Sequence, residues 1–171
     1  MPLPENTTRA RFIVTGQVQG VGFRPFVYRT ALENELCGNV RNTPEGVVIE
    51  VQGTGARVNA FAHDLEHKLP PLARIVSFVR EDMEPEPDAE RFEILHSSEG
   101  EGHQVLISPD TATCADCLAE VFDEADRRHL YAFTNCTNCG PRYTITREIP
   151  YDRPFTSMAC FPLCPDCQAE Y

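Results

Sequence analysis

Two groups of residues in this chain have the types and the spacing to do chemistry. The first is the run Val18-Gln19-Gly20-Val21-Gly22-Phe23-Arg24-Pro25. Two glycines one residue apart let the backbone bend so that successive N–H groups point into one concavity. Pro25 suits the first turn of a helix, whose dipole adds partial positive charge at the same place. Arg24, at the mouth of that helix, can give one anion a bidentate pair of charge-assisted hydrogen bonds. The chemistry implied is the gripping of a phosphate or carboxylate, although a bare Gly-x-Gly turn with a surface Arg is more often a plain connection.

The second group is cysteine. Of eight Cys, seven lie between Cys114 and Cys167, and six of those form three Cys-x-x-Cys pairs. Cys114-Ala-Asp-Cys117 and Cys136-Thr-Asn-Cys139 are separated by 18 residues. Two such turns present two thiolate pairs and complete a tetrahedral S₄ shell, which Zn²⁺ favours. Unligated buried cysteine is a weaker reading, because the spacing is hard to obtain by chance. A redox Cys-x-x-Cys usually stands alone at a helix start, whereas three copies in a core-poor segment argue for structure. Cys164-Pro-Asp-Cys167-Gln-Ala-Glu170 repeats Cys114-Ala-Asp-Cys117-Leu-Ala-Glu120 at an offset of 50. Cys164 and Cys167 are therefore further candidate ligands, but their partners would fall at 186 and 189, beyond Tyr171. The chain reads as cut short after the opening of a second unit, whose pair is metal-free or borrows Cys160.

The elements that position these groups follow from periodicity. Arg11 to Val18 is rich in β-branched and aromatic residues and reads as a strand delivering the chain to the glycine turn. Val27, Tyr28, Ala31, Leu32 and Leu36 recur at helical spacing, and Gly38 is placed to end that helix in a left-handed cap. Val40–Asn42 and Val47–Val51 form two strands about Thr43-Pro44-Glu45-Gly46. A second helix runs from about Ala56 to Leu69 and stops before Pro70-Pro71. Arg74 to Arg80 is a strand, Glu81 to Glu90 a solvated acidic loop without a charge partner, and Arg91 to Leu95 one more short strand. The order βαββαβ predicts an α+β, ferredoxin-like antiparallel sheet with both helices on one face, the other face left to solvent or a partner. His63 and His67, four apart on the second helix, read as a solvated face, because no third ligand accompanies them.

A small, polar stretch from His96 to Gly102 marks the linker, so the domains read as 1–95, a linker at 96–109, and a cysteine-rich region at 110–171. That last region is poor in core material and needs metal to stay folded. Formal net charge is −11, and both halves are acidic, so generic nucleic-acid binding is not expected. No apolar run approaches the roughly 20 residues that span a bilayer, and nothing at the amino terminus reads as a secretory signal. With reduced cysteines, a cytoplasmic location fits best.

Val18-Gln19-Gly20-Val21-Gly22-Phe23-Arg24 resembles the signature loop of the acylphosphatase family, and Gly38-Asn39-Val40-Arg41-Asn42 resembles that family's second motif. The likeness covers roughly residues 9 to 95. It implies that Arg24 binds the phosphoryl group, that Asn42 orients the attacking water, and that the backbone of Gln19, Gly20, Val21, Gly22 and Phe23 holds phosphate oxygens. The implied reaction is hydrolysis of a carboxyl-phosphate or carbamoyl-phosphate anhydride, for which positioning and charge neutralisation suffice without a metal or a covalent nucleophile. Together with Asn135–Ile145 and Pro150–Thr156, the whole chain resembles the amino-terminal part of the HypF family of hydrogenase maturation carbamoyltransferases. That resemblance implies carbamoyl phosphate as substrate, structural zinc, and, in domains this chain lacks, ATP-dependent formation of a carbamoyl adenylate. It also implies transfer of the carbamoyl group to the partner HypE on the way to cyanide ligands. Two alternatives stay open: a zinc-dependent docking or substrate-binding module without hydrolysis of its own, and a redox protein using its Cys-x-x-Cys pairs.

Overall fold

The computed structural model describes residues 6–87, 89–96 and 107–170. The first module is built from β1 (Thr7–Gln17), α1 (Phe23–Glu33), β2 (Cys37–Thr43), β3 (Gly46–Thr54), α2 (Gly55–His67), β4 (Arg74–Met83) and β5 (Phe92–Ile94). The sheet order is β4-β1-β3-β2-β5. The first four strands pair antiparallel, as a ferredoxin-like α+β fold requires. β5 differs from the antiparallel expectation, since it joins β2 in parallel register from Gly38 against Phe92 to Val40 against Ile94.

Alternation explains which sheet face is buried. Ala10, Phe12 and Val14 of β1 point the same way as Val47, Ile49 and Val51 of β3, with Phe12 opposite Ile49 and Val14 opposite Val47. α1 covers this face with Phe23, Phe26, Val27 and Ala31, and α2 with Val58, Phe61 and Leu65. The Phe12 and Phe61 rings lie 5.9 Å apart. Each side chain of this size buried from water contributes about 1.5–3 kcal/mol before entropy is charged against it.

Three readings of the sequence need correction. Gly38 does not cap α1, which ends at Asn34; the left-handed residue there is Glu35, with φ 50°. Gly38 lies inside β2, where a Cβ would stand 2.0 Å from the Glu50 carbonyl oxygen, so it is glycine to permit close strand approach. The acidic stretch has charge partners, because Glu81 and Asp82 belong to β4 and Glu86 pairs with Arg9 at 2.9 Å. The second sheet face is not simply left open either. Gln52 on that face donates to the Glu86 carbonyl at 2.8 Å and accepts from the Glu86 amide at 2.6 Å, so the chain after β4 folds over it. Residues 97–106, most of the expected linker, lie outside the described residues.

Glu50 sits on this second face, 6% exposed, and accepts from Arg9 at 2.8 Å and from Arg11 at 3.0 Å and 3.2 Å. Burial by itself would raise its pKa, but the two guanidinium groups outweigh burial and lower it from the ordinary 4.5. A carboxyl whose folded pKa is depressed stabilises fully above its unfolded value, and that contribution is lost as pH falls through the folded value. Glu50→Gln is therefore expected to cost about 1–3 kcal/mol at neutral pH and to flatten the loss of stability below pH 4.5. Urea midpoints measured from pH 7 to pH 3 check this, and parallel pH profiles for the two proteins would contradict it.

Candidate functional site

β1 delivers the chain to the glycine turn and α1 carries it away, so the loop between them is fixed at both ends. Gly20 and Gly22 both take left-handed conformations, φ 70° and 73°, on either side of the fully buried Val21. Left-handed residues alternating with ordinary ones turn successive amides to one side. Among the described residues, the loop amides from Gly20 to Arg24 find no protein acceptor, and those of Phe23 and Arg24 belong to the first turn of α1, where none is available within the helix. The sequence motif thus becomes a row of donors beside the positive end of a helix.

Gln19 is 2% exposed, and its side chain is not directed to the concavity. It donates to the carbonyls of Thr43 and Gly46 at 2.8 Å and 2.7 Å, tying the loop to the β2–β3 turn. Asn42, 1% exposed on β2, is carried by that same turn to the edge of the loop. Its Oδ1 is buried without a hydrogen-bond partner among the described residues.

The cysteine-rich region lies on this loop, a relation with no signal in the sequence. The Asn42 amide donates to the Tyr151 carbonyl at 3.0 Å, and the Tyr151 amide donates to Gln19 Oε1 at 2.8 Å. Arg24 Nη1 stands 3.4 Å from Asp152 Oδ2. A Cβ on Gly20 would lie 3.0 Å from the Tyr151 ring, and one on Gly22 would lie 3.1 Å from Thr137 Oγ1. Arg24 and Asn42, set on different elements, therefore end on two consecutive residues of the second module. Tyr151, Asp152 and Thr137, together with Arg142, which donates to the Gly20 carbonyl, are residues against the loop that sequence reasoning missed. Their motifs were visible, but contacts spanning more than a hundred residues of chain leave no periodicity behind.

The second module is built from α3 (Ala115–Phe122), two short 3₁₀ turns at Tyr143–Ile145 and Arg153–Phe155, and α4 (Pro165–Glu170). Cys114 caps α3, its sulfur accepting from the Cys117 amide at 3.5 Å. The sulfurs of Cys114, Cys117, Cys136 and Cys139 all lie within 4.8 Å of one another. Burial pushes the Cys117 thiol up, helped by its neighbours; at Cys139, hydrogen bonds from backbone and thiols outweigh burial and bring it down to about 7. Four sulfurs this close cannot ionise together unless a cation sits among them, so the donor set fits a metal ion. Cys164 and Cys167 repeat the local turn, the Cys167 amide lying 3.5 Å from the Cys164 sulfur, but they stand apart from the four-sulfur cluster. Cys167 accepts from Arg127 Nη1 at 3.3 Å, and Cys160 turns to the Ser157 carbonyl rather than joining them. The rings of His63 and His67 stack on each other at 4.1 Å on α2, away from both groups.

An α+β sandwich whose strand–glycine loop–helix turn faces an Asn on β2, two strands away in the sheet, has the arrangement of an acylphosphatase domain. The acylphosphatase family profile matches residues 10–94, and the chain is 39% identical to the acylphosphatase of Oceanobacillus iheyensis over 84 residues, covering 92% of that protein and 48% of this chain. The chain belongs to the acylphosphatase family through its first module. A second profile, the HypF finger, matches residues 113–146. Carbamoyltransferase HypF2 of Cupriavidus necator is 52% identical over 164 residues, which is 95% of this chain and 20% of that protein. The crystal structure of full-length HypF in its phosphate- and nucleotide-bound form superposes with a TM-score of 0.93 at 42% identity, over 96% of this chain and 22% of that one. Taken whole, the chain corresponds to the amino-terminal region of the HypF carbamoyltransferases and spans about a fifth of their length.

If the four clustered thiolates hold a metal, alkylation followed by mass spectrometry should label the exposed Cys160 and Cys164 at once, and Cys114, Cys117, Cys136 and Cys139 only after a chelator is added. Equal labelling rates before chelation would exclude a metal centre there.

Proposed function

We propose that this chain is the region of a HypF-type carbamoyltransferase that binds carbamoyl phosphate, or a related acyl phosphate, on the loop from Gln19 to Arg24 and hydrolyses it. The observation that carries this reading is the convergence of Arg24 and Asn42 at the loop mouth, on Asp152 and Tyr151 respectively, with Asn42 Oδ1 buried and unpartnered among the described residues. The amides of Gly20, Val21, Gly22 and Phe23 take the phosphoryl oxygens, and the Arg24 guanidinium neutralises the charge that they share. Because Asn42 spends its amide N–H on Tyr151, its oxygen is the group left to accept from a water and aim it at phosphorus. Water adds to phosphorus as the bridging P–O bond breaks. The products are inorganic phosphate and the carboxylate or carbamate. The leaving group is a weak base, so the site needs no strong general base.

Zinc is the metal proposed for the four-thiolate cluster. Zn–S bonds of about 2.3 Å place the sulfurs of a tetrahedron about 3.8 Å apart. The observed separations are 3.7 Å for Cys114–Cys136, 3.8 Å for Cys136–Cys139 and 3.6 Å for Cys117–Cys139. The role is structural, since all four positions of the shell come from protein. Cys164 and Cys167 are proposed as half of a second such site. In the whole protein, located in the cytoplasm, the carbamoyl group would pass through an ATP-dependent adenylate to HypE during nickel–iron hydrogenase maturation.

One observation favours a second reading, a substrate-binding module without turnover. Asp152 already pairs with Arg24, and Tyr151 already covers Gly20. Hydrolysis assays separate the two. Arg24→Ala is expected to lose about 2–4 kcal/mol of transition-state stabilisation in kcat/KM for carbamoyl or acetyl phosphate, and Asn42→Ala to lower kcat with little change in KM. Both variants should keep the wild-type circular dichroism spectrum. Undiminished turnover by Arg24→Ala would remove it from catalysis, and a wild-type chain that binds phosphate without turnover would favour the second reading.

A further inference from the structure

Arg142 is 5% exposed, an unusual degree of burial for a guanidinium. Its hydrogen bonds end on three backbone carbonyls: Nε donates to Gly20, Nη1 to Pro141 at 2.8 Å, and Nη2 to Cys136 at 2.8 Å. One side chain therefore touches the central glycine of the phosphate loop and a cysteine of the four-thiolate cluster. The position of that cysteine is fixed by its own knuckle, whose Thr137 packs where a Gly22 side chain would be.

The bond to Gly20 has a consequence for the anion site. A trans peptide is planar, so its carbonyl and its amide N–H point in opposite directions. Holding the Gly20 carbonyl outward on Arg142 turns the Val21 N–H inward, to the face from which a phosphate oxygen would be bound. Glycine at position 20 makes the alternative orientation of this peptide cheap, because Gly20 has no Cβ to oppose rotation. Without an outside partner the loop could flip this peptide and replace a donor with a carbonyl oxygen facing the anion. A guanidinium buried beside the loop also adds positive potential there.

We infer that Arg142 is a positioning residue through which the thiolate knuckle fixes the 20–21 peptide of the phosphate loop, making anion binding depend on the metal-holding turn. The inference rests on the anion-binding reading of the loop given above. It assigns work to a residue that touches neither the metal nor the phosphate.

The test is calorimetric titration of inorganic phosphate into the full zinc-loaded chain, with metal content measured on the same samples. Losing one charge-assisted hydrogen bond and its orientation should weaken phosphate binding about tenfold or more in Arg142→Ala. Arg142→Lys should be weakened as well, since an ammonium cannot bridge three carbonyls in the guanidinium plane. Zinc should remain at the wild-type ratio in both. Unchanged affinity in Arg142→Ala overturns the inference, and full affinity in Arg142→Lys overturns the positioning claim in favour of charge alone. If the variants lose zinc or fold poorly, chelation of the wild-type chain decides: phosphate affinity should fall while the first module keeps its far-ultraviolet signal, and unchanged affinity overturns the inference. No phosphate binding by the zinc-loaded wild type would instead remove the anion-binding reading itself.

Discussion

A loop that binds an anion through its backbone must turn its amides inward, and the planarity of the peptide then sends the corresponding carbonyls outward. Each of those carbonyls needs a partner of its own if it is buried. In this chain the Gly22 carbonyl receives the Phe26 amide at 3.1 Å, which is the first turn of α1 closing on the loop. The Gly20 carbonyl receives Arg142 from the second module. The loop is therefore held from both sides, by the helix that follows it and by a region more than a hundred residues further along. The left-handed glycines make the shape possible, and these outside donors select it.

The two modules solve the problem of stability differently. The first buries a contiguous apolar core between one sheet face and two helices, and no residue in it has to be anything but hydrophobic and well fitted. In the second, the buried apolar side chains among the described residues are Cys117 and Cys139, both in the thiolate cluster, and Pro150, while Phe122, Leu130 and Phe133 are largely exposed. Such a segment cannot offset its chain entropy by burial. A metal among four thiolates would supply the missing organisation in one step. The same thiolate turn also lies against the glycine loop, through Thr137 and Arg142.

How much was legible beforehand depended on whether a feature leaves a local trace. The strands flanking the loop were visible because β-branched residues alternate, and α2 because Val58, Phe61 and Leu65 fall on one helical face. The thiolate cluster was visible because four ligands at fixed spacing are rarely accidental. Gly38 was misread because a glycine after an apolar helix fits a cap as well as it fits a close strand crossing, and only the Glu50 carbonyl across the ladder decides between them. Glu86 seemed partnerless because Arg9 lies at the other end of the module's chain. Arg142, Tyr151 and Asp152 were legible as motifs without roles, since their partners are backbone atoms and side chains of a distant loop.

The central claim is that the amides from Gly20 to Phe23 form one donor row shaped for a tetrahedral dianion beside Arg24. Amide-resolved NMR of the zinc-loaded chain during a phosphate titration tests it most directly. The account predicts saturable shifts concentrated on residues 20 to 24, with all of them following a single dissociation constant. Shifts scattered over surface arginines, or a loop whose amides do not respond, would contradict it.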